Sequence, residues 1–132
     1  MFERWVEGGL LDVLEQEGVG CIPFSPLAQG LLTNKYLHGI PEDSRAAKST
    51  GFLQVSQVTD ERIAQIKKLN DIALKRGQTL AQMALAWLLK DQRVTSVLIG
   101  ASRPEQLADS LKCLDNIEFS SDELGQIESI LR

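Results

Sequence analysis

Residues 19–36 read VGCIPFSPLAQGLLTNKY, a short apolar run followed by a loop of turn-forming and polar residues. The run 19–24 is bounded by glycine on one side and by Ser-Pro on the other, which predicts a buried strand. Ser25 then offers a hydroxyl, Gly30 allows close approach of the backbone, and Lys35 offers a cation. These groups predict an anion site after the strand, although a surface loop with a solvated lysine accounts for them equally well.

A second segment of the same kind covers residues 94–106, VTSVLIGASRPEQ. Its β-branched, apolar first half ends at Gly100 and predicts a second buried strand. Ser102 and Glu105 have the spacing of a capping box, so a helix is expected to begin here with free amides in its first turn. Arg103 adds a guanidinium beside those amides. The alternative interpretation is that Ser102 only caps the helix and that Arg103 is solvated.

The other strong patterns are helical. Apolar stripes, caps and terminal glycines predict helices that follow Gly9, Thr59, Thr79, Ser102 and Ser120. The helix after Ser102 is expected to bury Leu107, Leu111 and Leu114. Strands separated by helices indicate an α/β fold with parallel strands, and residues 25–58 form a long loop between elements. Two strands are too few to close a sheet, so the chain is predicted to be part of a larger architecture.

Composition excludes several classes of function. The chain has 132 residues, 43% of them hydrophobic, and a formal net charge of -4, which fits one acidic domain and no nucleic-acid partner. The sequence predicts neither a membrane span nor a secretory signal, and we expect a cytoplasmic protein. Cys21 and Cys113 lack CxxC spacing and flanking histidines, so they are predicted to be buried free thiols with no metal site.

Two long stretches carry a family resemblance: FSPLAQGLLTNKYLHGIPEDSR, residues 24–45, and QTLAQMALAWLLKDQRVTSVLIGASRPEQL, residues 78–107. They resemble the C-terminal part of the aldo-keto reductase superfamily of (β/α)8 TIM-barrel enzymes. The likeness is greatest to the branch holding L-glyceraldehyde 3-phosphate reductases and potassium-channel β subunits. The resemblance implies that residues 1–132 are a single partial domain of an incomplete barrel. Residues 19–24 and 94–100 would be its strands seven and eight.

The resemblance also implies a cofactor, NADP(H), clamped by the loop 25–58. The positions that match the cofactor contacts of the family are Ser25, Pro26, Leu27, Ala28, Gly30, Leu31, Lys35, Arg45, Gly100, Ser102, Arg103, Gln106, Asp109 and Ser110. Arg103 and Ser102 match the site of the 2′-phosphate, and Asp109 matches an acidic position near the adenine. Two positions depart from the family: Asn34 replaces a usual glycine, tolerably if it adopts a positive φ, and Ser110 replaces a usual asparagine.

The implied reaction is the reduction of an aldehyde or ketone by hydride transfer. In the family this uses an Asp, a Tyr, a Lys and a His from the part of the barrel that precedes this chain, so we expect no catalytic residue here. Tyr36 and Lys35 match the cofactor loop, not this tetrad. A carbonyl substrate is expected only with the missing part of the barrel. The alternative is a non-catalytic fragment or a binding or regulatory module that self-associates through exposed strand edges.

Overall fold

Helices account for most of the regular structure. The computed structural model describes residues 1–41 and 53–132, and within these ranges the α-helices are α1 (Leu10–Gln16), α2 (Asp60–Lys75), α3 (Leu80–Leu89), α4 (Pro104–Leu111) and α5 (Ser121–Leu131). Short 3₁₀ turns lie at Trp5–Glu7, Ala28–Gly30, Asn34–Tyr36, Val55–Gln57 and Lys112–Asn116. None of the helices in these ranges is both long and apolar enough to cross a membrane.

Side-chain caps determine where three of the helices begin. The Thr59 side chain accepts from the Arg62 amide at α2. Thr79 and Ser120 each begin a reciprocal capping box, with Gln82 at α3 and with Glu123 at α5. Each of these bonds satisfies an amide that the helix itself leaves unpaired. The predicted starts of α2, α3 and α5 are therefore confirmed.

The predicted strands seven and eight of a TIM barrel are wrong for this structure. Segments 19–24 and 94–100 run parallel but meet only at two isolated bridges, Cys21 with Val94 and Phe24 with Leu98. Two residues lie between the bridges in one segment and three in the other, so the register slips by one between them. Pro23 has no amide to donate, and an isolated pair of strands is marginal in water. The described residues therefore form a helical core with two extended segments beside it.

Helix α3 lies at the centre of the core and is almost completely enclosed. All of Gln82–Trp87 is buried, together with Leu80. On one side α3 packs with the inner faces of α2 and α5, including Ile66, Leu69 and Ile127. On another side Leu85 and Ala86 pack with Cys113 in a smaller cluster. A helix that is apolar all round requires neighbours on every side, so α3 determines where the other helices lie.

Helix α4 does not bury the stripe that the sequence predicts. Leu107, Leu111 and Leu114 are 45%, 54% and 55% exposed. The helix instead turns Asp109 toward α3, where Gln82 binds it, and the buried Cys113 follows on the same side. This side of α4 lies on a different face from the leucines, so packing against α3 leaves the leucine stripe in solvent.

Arg76, just beyond the end of α2, joins three parts of the fold. Its side chain is 2% exposed, and its Nη1 lies 2.9 Å from Glu123 Oε1. Nη2 donates to the carbonyl oxygens of Asn116 and Glu118, both at 2.9 Å, and Nε donates to Gln78 Oε1 at 2.9 Å. The guanidinium thus ties α2 to the turn that precedes α5 and to the first turn of α5, with its hydrogen-bonding capacity largely used.

We expect Arg76→Met to lower the free energy of unfolding by about 3–5 kcal/mol, the usual cost of removing one partner of a buried ion pair. The carboxylate of Glu123 would lose its ion pair, and the carbonyls of Asn116 and Glu118 would each lose a donor, while the helices still pack around them. Urea denaturation followed by circular dichroism measures the change. Arg132→Ala, which removes an exposed pair with Glu128, serves as the control and should leave the midpoint nearly unchanged. Equal effects of the two substitutions would contradict the role given to Arg76.

The same interaction predicts a dependence on pH. Burial raises the pKa of Glu123, but the Ser120 amide and the Arg76 guanidinium outweigh it, and the pKa lies below its ordinary value. The folded state therefore holds the carboxylate ionised at pH values where the unfolded chain binds a proton. This stabilisation is complete above the pKa that the Glu123 carboxyl has in the unfolded chain. It is lost as the pH falls through the lower pKa of the same carboxyl in the folded chain. Urea midpoints measured between pH 7 and pH 3 should fall less steeply in Glu123→Gln than in the unchanged chain.

Candidate nucleotide-binding site

The two extended segments end side by side. The parallel bridge between Phe24 and Leu98 lies at their carboxyl ends, and the Leu98 amide donates to the Pro23 carbonyl at 3.1 Å. Ser25 follows Phe24 directly, and Gly100 lies two positions after Leu98. The two loops that the sequence predicts to hold an anion therefore begin next to each other, at the carboxyl ends of the two segments.

The first loop has an unusual backbone. Ser25, Ala28 and Gln29 all have positive φ angles, of 52°, 48° and 59°, and Gly30 follows at 100°. A positive φ in a residue other than glycine costs about 1–3 kcal/mol and persists where the surroundings hold it. The Gln29 side chain helps, because its Nε2 donates to Ser25 Oγ at 3.0 Å. Leu27, with φ -96°, precedes the left-handed Ala28, and the Ala28 and Gly30 amides donate within the loop, to the Ser25 and Leu27 carbonyls at 2.9 Å each.

The side chains below this loop belong to the core. Leu31 is buried, Leu27 and Ala28 pack against the same cluster, and Pro26 is buried as well. Of the predicted contacts between residues 25 and 31, therefore, Ser25, Gly30 and the backbone are the groups best placed to meet a ligand. The apolar side chains support the loop from within.

Tyr36 packs below the glycine of the loop. Its ring is completely buried, and a Cβ at Gly30 would lie 3.6 Å from its Cε2 atom. The Tyr36 hydroxyl has no hydrogen-bond partner among the described residues. A proton donor for a substrate must be reachable from the site, so this buried phenol is assigned to the core.

Lys35 is exposed, at the far end of the first loop. Thr33 fixes the turn, because its Oγ1 donates to the Gly30 carbonyl at 2.7 Å and accepts from the Lys35 amide at 3.2 Å. Within residues 1–41 and 53–132 the Lys35 ammonium makes no ion pair, so its charge is available to a phosphate. Asn34 is not among the residues with positive φ, so its replacement of glycine requires no left-handed backbone.

In the second loop, the residue that begins α4 is not the predicted one. Arg103, not Ser102, is the N-cap residue of α4, and it makes no side-chain cap bond, while Pro104 occupies the first turn. Ser102 lies one residue earlier, and its amide and hydroxyl both donate to Gln106 Oε1, at 2.9 and 3.0 Å. The predicted capping box with Glu105 is therefore wrong. Proline begins the helix instead, because its fixed φ suits the first turn and it has no amide to cap.

The groups suited to a 2′-phosphate are nevertheless exposed. Gly100, Ser102, Arg103 and Gln106 all lie at the surface. In the part of the chain that the structure describes, Arg103 forms no ion pair and its guanidinium can bind an anion in a bidentate manner. The amide of Gln106 keeps its Nε2 donor, since only Oε1 is used by Ser102.

Asp109 and Ser110 are half-buried on the side of α4 that faces α3. Gln82 of α3 donates from Nε2 to both the Asp109 carbonyl and the Asp109 carboxylate, at 3.1 and 2.9 Å. Sequence reasoning identified Gln82 only as a cap and missed this contact. No local pattern could reveal it, because the two residues are 27 positions apart.

Arg45, the remaining predicted contact, lies outside the described residues. The first loop offers a lysine, and the second offers a hydroxyl, a side-chain amide and a guanidinium. Each loop thus carries a positive charge although the chain as a whole is acidic.

Comparisons with known proteins identify the family of the chain. The sequence pattern of the aldo/keto reductase family matches residues 1–132. The L-glyceraldehyde 3-phosphate reductases of Escherichia coli O157:H7 and of Escherichia coli K12 are each 54% identical over 132 residues, 97% of this chain and 38% of the relative. A putative voltage-gated potassium channel subunit beta of Schizosaccharomyces pombe is 37% identical over 129 residues, 95% of this chain and 38% of the relative.

The chain thus spans 38% of the length of these relatives. The matches cover 95–97% of this chain, so they do not depend on one short motif. The predicted branch is confirmed along with the superfamily. This chain belongs to the aldo/keto reductase family.

Proposed function

We propose that the two loops bind NADP(H) and that the chain is the cofactor-holding part of an aldo/keto reductase that reduces aldehydes or ketones. The observation that carries this proposal is the bridge between Phe24 and Leu98. It starts both loops at one edge, so that a ligand with two phosphate-bearing ends can contact both. Membership of a family of reductases supports the same choice of ligand.

Each end of the dinucleotide has a group suited to it. The backbone of residues 25–30 and the ammonium of Lys35 would meet the pyrophosphate. Arg103, with Ser102 and Gln106, would meet the 2′-phosphate and so favour NADP(H) over NAD(H). Asp109 would lie near the adenine, with Ser110 beside it. When bound, the nicotinamide supplies the hydride, and these residues contribute binding and orientation.

Carbonyl reduction itself requires more than the described residues offer. A proton donor must stand beside the developing alkoxide. Tyr36 is enclosed in the core, and we assign no other residue of this chain to that role. We therefore propose that the catalytic groups come from the part of the family polypeptide that this chain does not span, and that the carbonyl substrate binds only when that part is present.

Thermal unfolding with added nucleotide tests the binding proposal. A ligand that binds only the folded chain stabilises it by about 2.7 kcal/mol at a hundredfold excess over its Kd. We expect NADP⁺ to raise the Tm of the chain, and NAD⁺ to raise it less at the same concentration. The absence of a shift with either nucleotide at millimolar concentration would overturn the proposal.

The assignment of the 2′-phosphate predicts the behaviour of Arg103→Ala. This substitution should reduce the NADP⁺ shift to that of NAD⁺ and leave the NAD⁺ shift nearly unchanged, since NAD⁺ lacks the group that the guanidinium meets. Lys67→Ala, which removes one positive charge from the exposed side of α2, is the matched control and should alter neither shift. Equal losses for both nucleotides in Arg103→Ala would contradict the assignment.

A specific observation favours a second candidate function, a non-catalytic module that associates with itself. Ile22, Phe24 and Leu98 of the extended segments are 62%, 79% and 62% exposed, and the leucine stripe of α4 is exposed as well. Large exposed apolar surfaces are typical of interaction sites, and unpaired strand edges invite pairing with another chain. We propose that copies of the chain meet through this surface when nothing else covers it.

This second candidate makes a separate prediction. Light scattering during gel filtration should show a mass above that of the 14.6 kDa monomer, increasing with protein concentration. Phe24→Lys should shift the distribution toward monomer, because a charge at the centre of the patch opposes its burial. Ala64→Lys, on the exposed side of α2, should not. A monomeric mass at all concentrations would exclude the association.

A further inference from the structure

The side chain of Gln82 connects the helical core to the candidate site. Gln82 is 7% exposed, and its amide oxygen accepts from the Thr79 amide at 3.0 Å to complete the cap of α3. Its Nε2 donates to the Asp109 carboxylate at 2.9 Å and to the Asp109 carbonyl at 3.1 Å. The oxygen and both amide hydrogens thus have partners, so the orientation of the amide group is fixed.

The hydrogen bonds from Gln82 to Asp109 are not needed for the cap of α3. The capping box needs only the oxygen of residue 82, which a glutamate supplies equally well. The Nε2 donor is therefore an additional feature, directed at a residue on another helix. Because Nε2 engages only Oδ1, the second carboxylate oxygen of Asp109 makes no hydrogen bond among the described residues. One side of the carboxylate is held, and the other is free to accept a hydrogen bond.

We propose that Gln82 is a positioning residue for nucleotide binding: it holds the Asp109 carboxylate in the rotamer that receives the adenine end of the dinucleotide. The proposal rests on the function proposed above. A carboxylate oxygen is the natural acceptor for an exocyclic amine. An aspartate side chain on a helix loses rotamer freedom when it binds a ligand. A partner that already fixes its rotamer reduces this entropic cost of binding. Gln82 does so from a buried helix that cannot shift without disturbing the core.

The substitution Gln82→Glu separates the two roles of the side chain. Glutamate keeps the oxygen that caps α3, but it cannot donate to Asp109 and brings a second negative charge against that carboxylate. We expect the Kd for NADP⁺ and for NAD⁺ to rise by the same factor, about tenfold, which corresponds to ~1.4 kcal/mol. The preference between the two nucleotides should not change, since the 2′-phosphate contacts remain. Isothermal titration calorimetry measures both constants.

Thr79→Ala is the matched structural control. It removes the hydroxyl that accepts from the backbone amide of Gln82 and should lower the free energy of unfolding by about 1 kcal/mol. The side-chain Nε2 that donates to Asp109 stays in place. The Tm should therefore fall without a comparable loss of nucleotide affinity. If Thr79→Ala weakens nucleotide binding as much as Gln82→Glu does, Gln82 acts only through the stability of α3 and the proposal is wrong.

A double substitution provides the rescue. In Gln82→Glu with Asp109→Asn, the new amide at 109 can donate to the new carboxylate at 82, which restores the bond with its direction reversed and leaves an amide oxygen for the ligand. We expect the double variant to bind both nucleotides more tightly than Gln82→Glu alone. If Gln82→Glu does not fold, Gln82→Met supplies the comparison, with the same equal loss for the two nucleotides.

The outcomes distinguish the two levels of the proposal. If the unchanged chain binds neither nucleotide, the proposed function fails. If the unchanged chain binds and Gln82→Glu binds equally well, nucleotide binding stands and the role of Gln82 is refuted. An equal loss for both nucleotides, restored in the double variant and absent in Thr79→Ala, supports the positioning role.

Discussion

The burial of α3 is the constraint on which the rest of this structure depends. An almost entirely apolar helix of ten residues has to be covered on every side, and α2, α5 and the turn after α4 provide that cover. The polar groups that remain near it must then be paired, because an unpaired group in such surroundings costs about 1–3 kcal/mol. Gln82 is paired with Thr79 and Asp109, and at the end of α2 Arg76 is paired with Glu123 and with carbonyls of the preceding turn.

Arg76 and Gln82 have different roles in the molecule. Arg76 also stacks on Phe119, with 3.7 Å between the guanidinium carbon and the ring centroid, so it joins α2 and α5 by both charge and contact. It stabilises the contact between these parts of the fold. Gln82 faces α4, and its hydrogen bonds reach a residue that the family resemblance associates with the cofactor. Core packing and the geometry of the site are thus connected through one amide group.

The candidate site itself is built from loops that the core supports. The left-handed residues between Ser25 and Gly30 are costly, and they persist because Leu27 and Leu31 anchor the loop in the core and Gln29 binds Ser25. Such strain is common where a backbone is held ready for a ligand. The second loop has no comparable strain, and its polar groups lie in solvent. A ligand that contacts both loops would therefore meet one preformed surface and one that is adjustable.

The sequence by itself determined the family, four of the five helix positions with their caps or terminal glycines, and the candidate loops. These features depend on residues within a few positions of one another: a threonine with the amide three residues later, or a glycine at the end of a helix. Only the tertiary structure decided which face of α4 is buried, that Asp109 binds Gln82, and that segments 19–24 and 94–100 meet at two bridges instead of forming strands. Each of these depends on which distant surface lies opposite, and a register slip or a competing contact can override a local pattern.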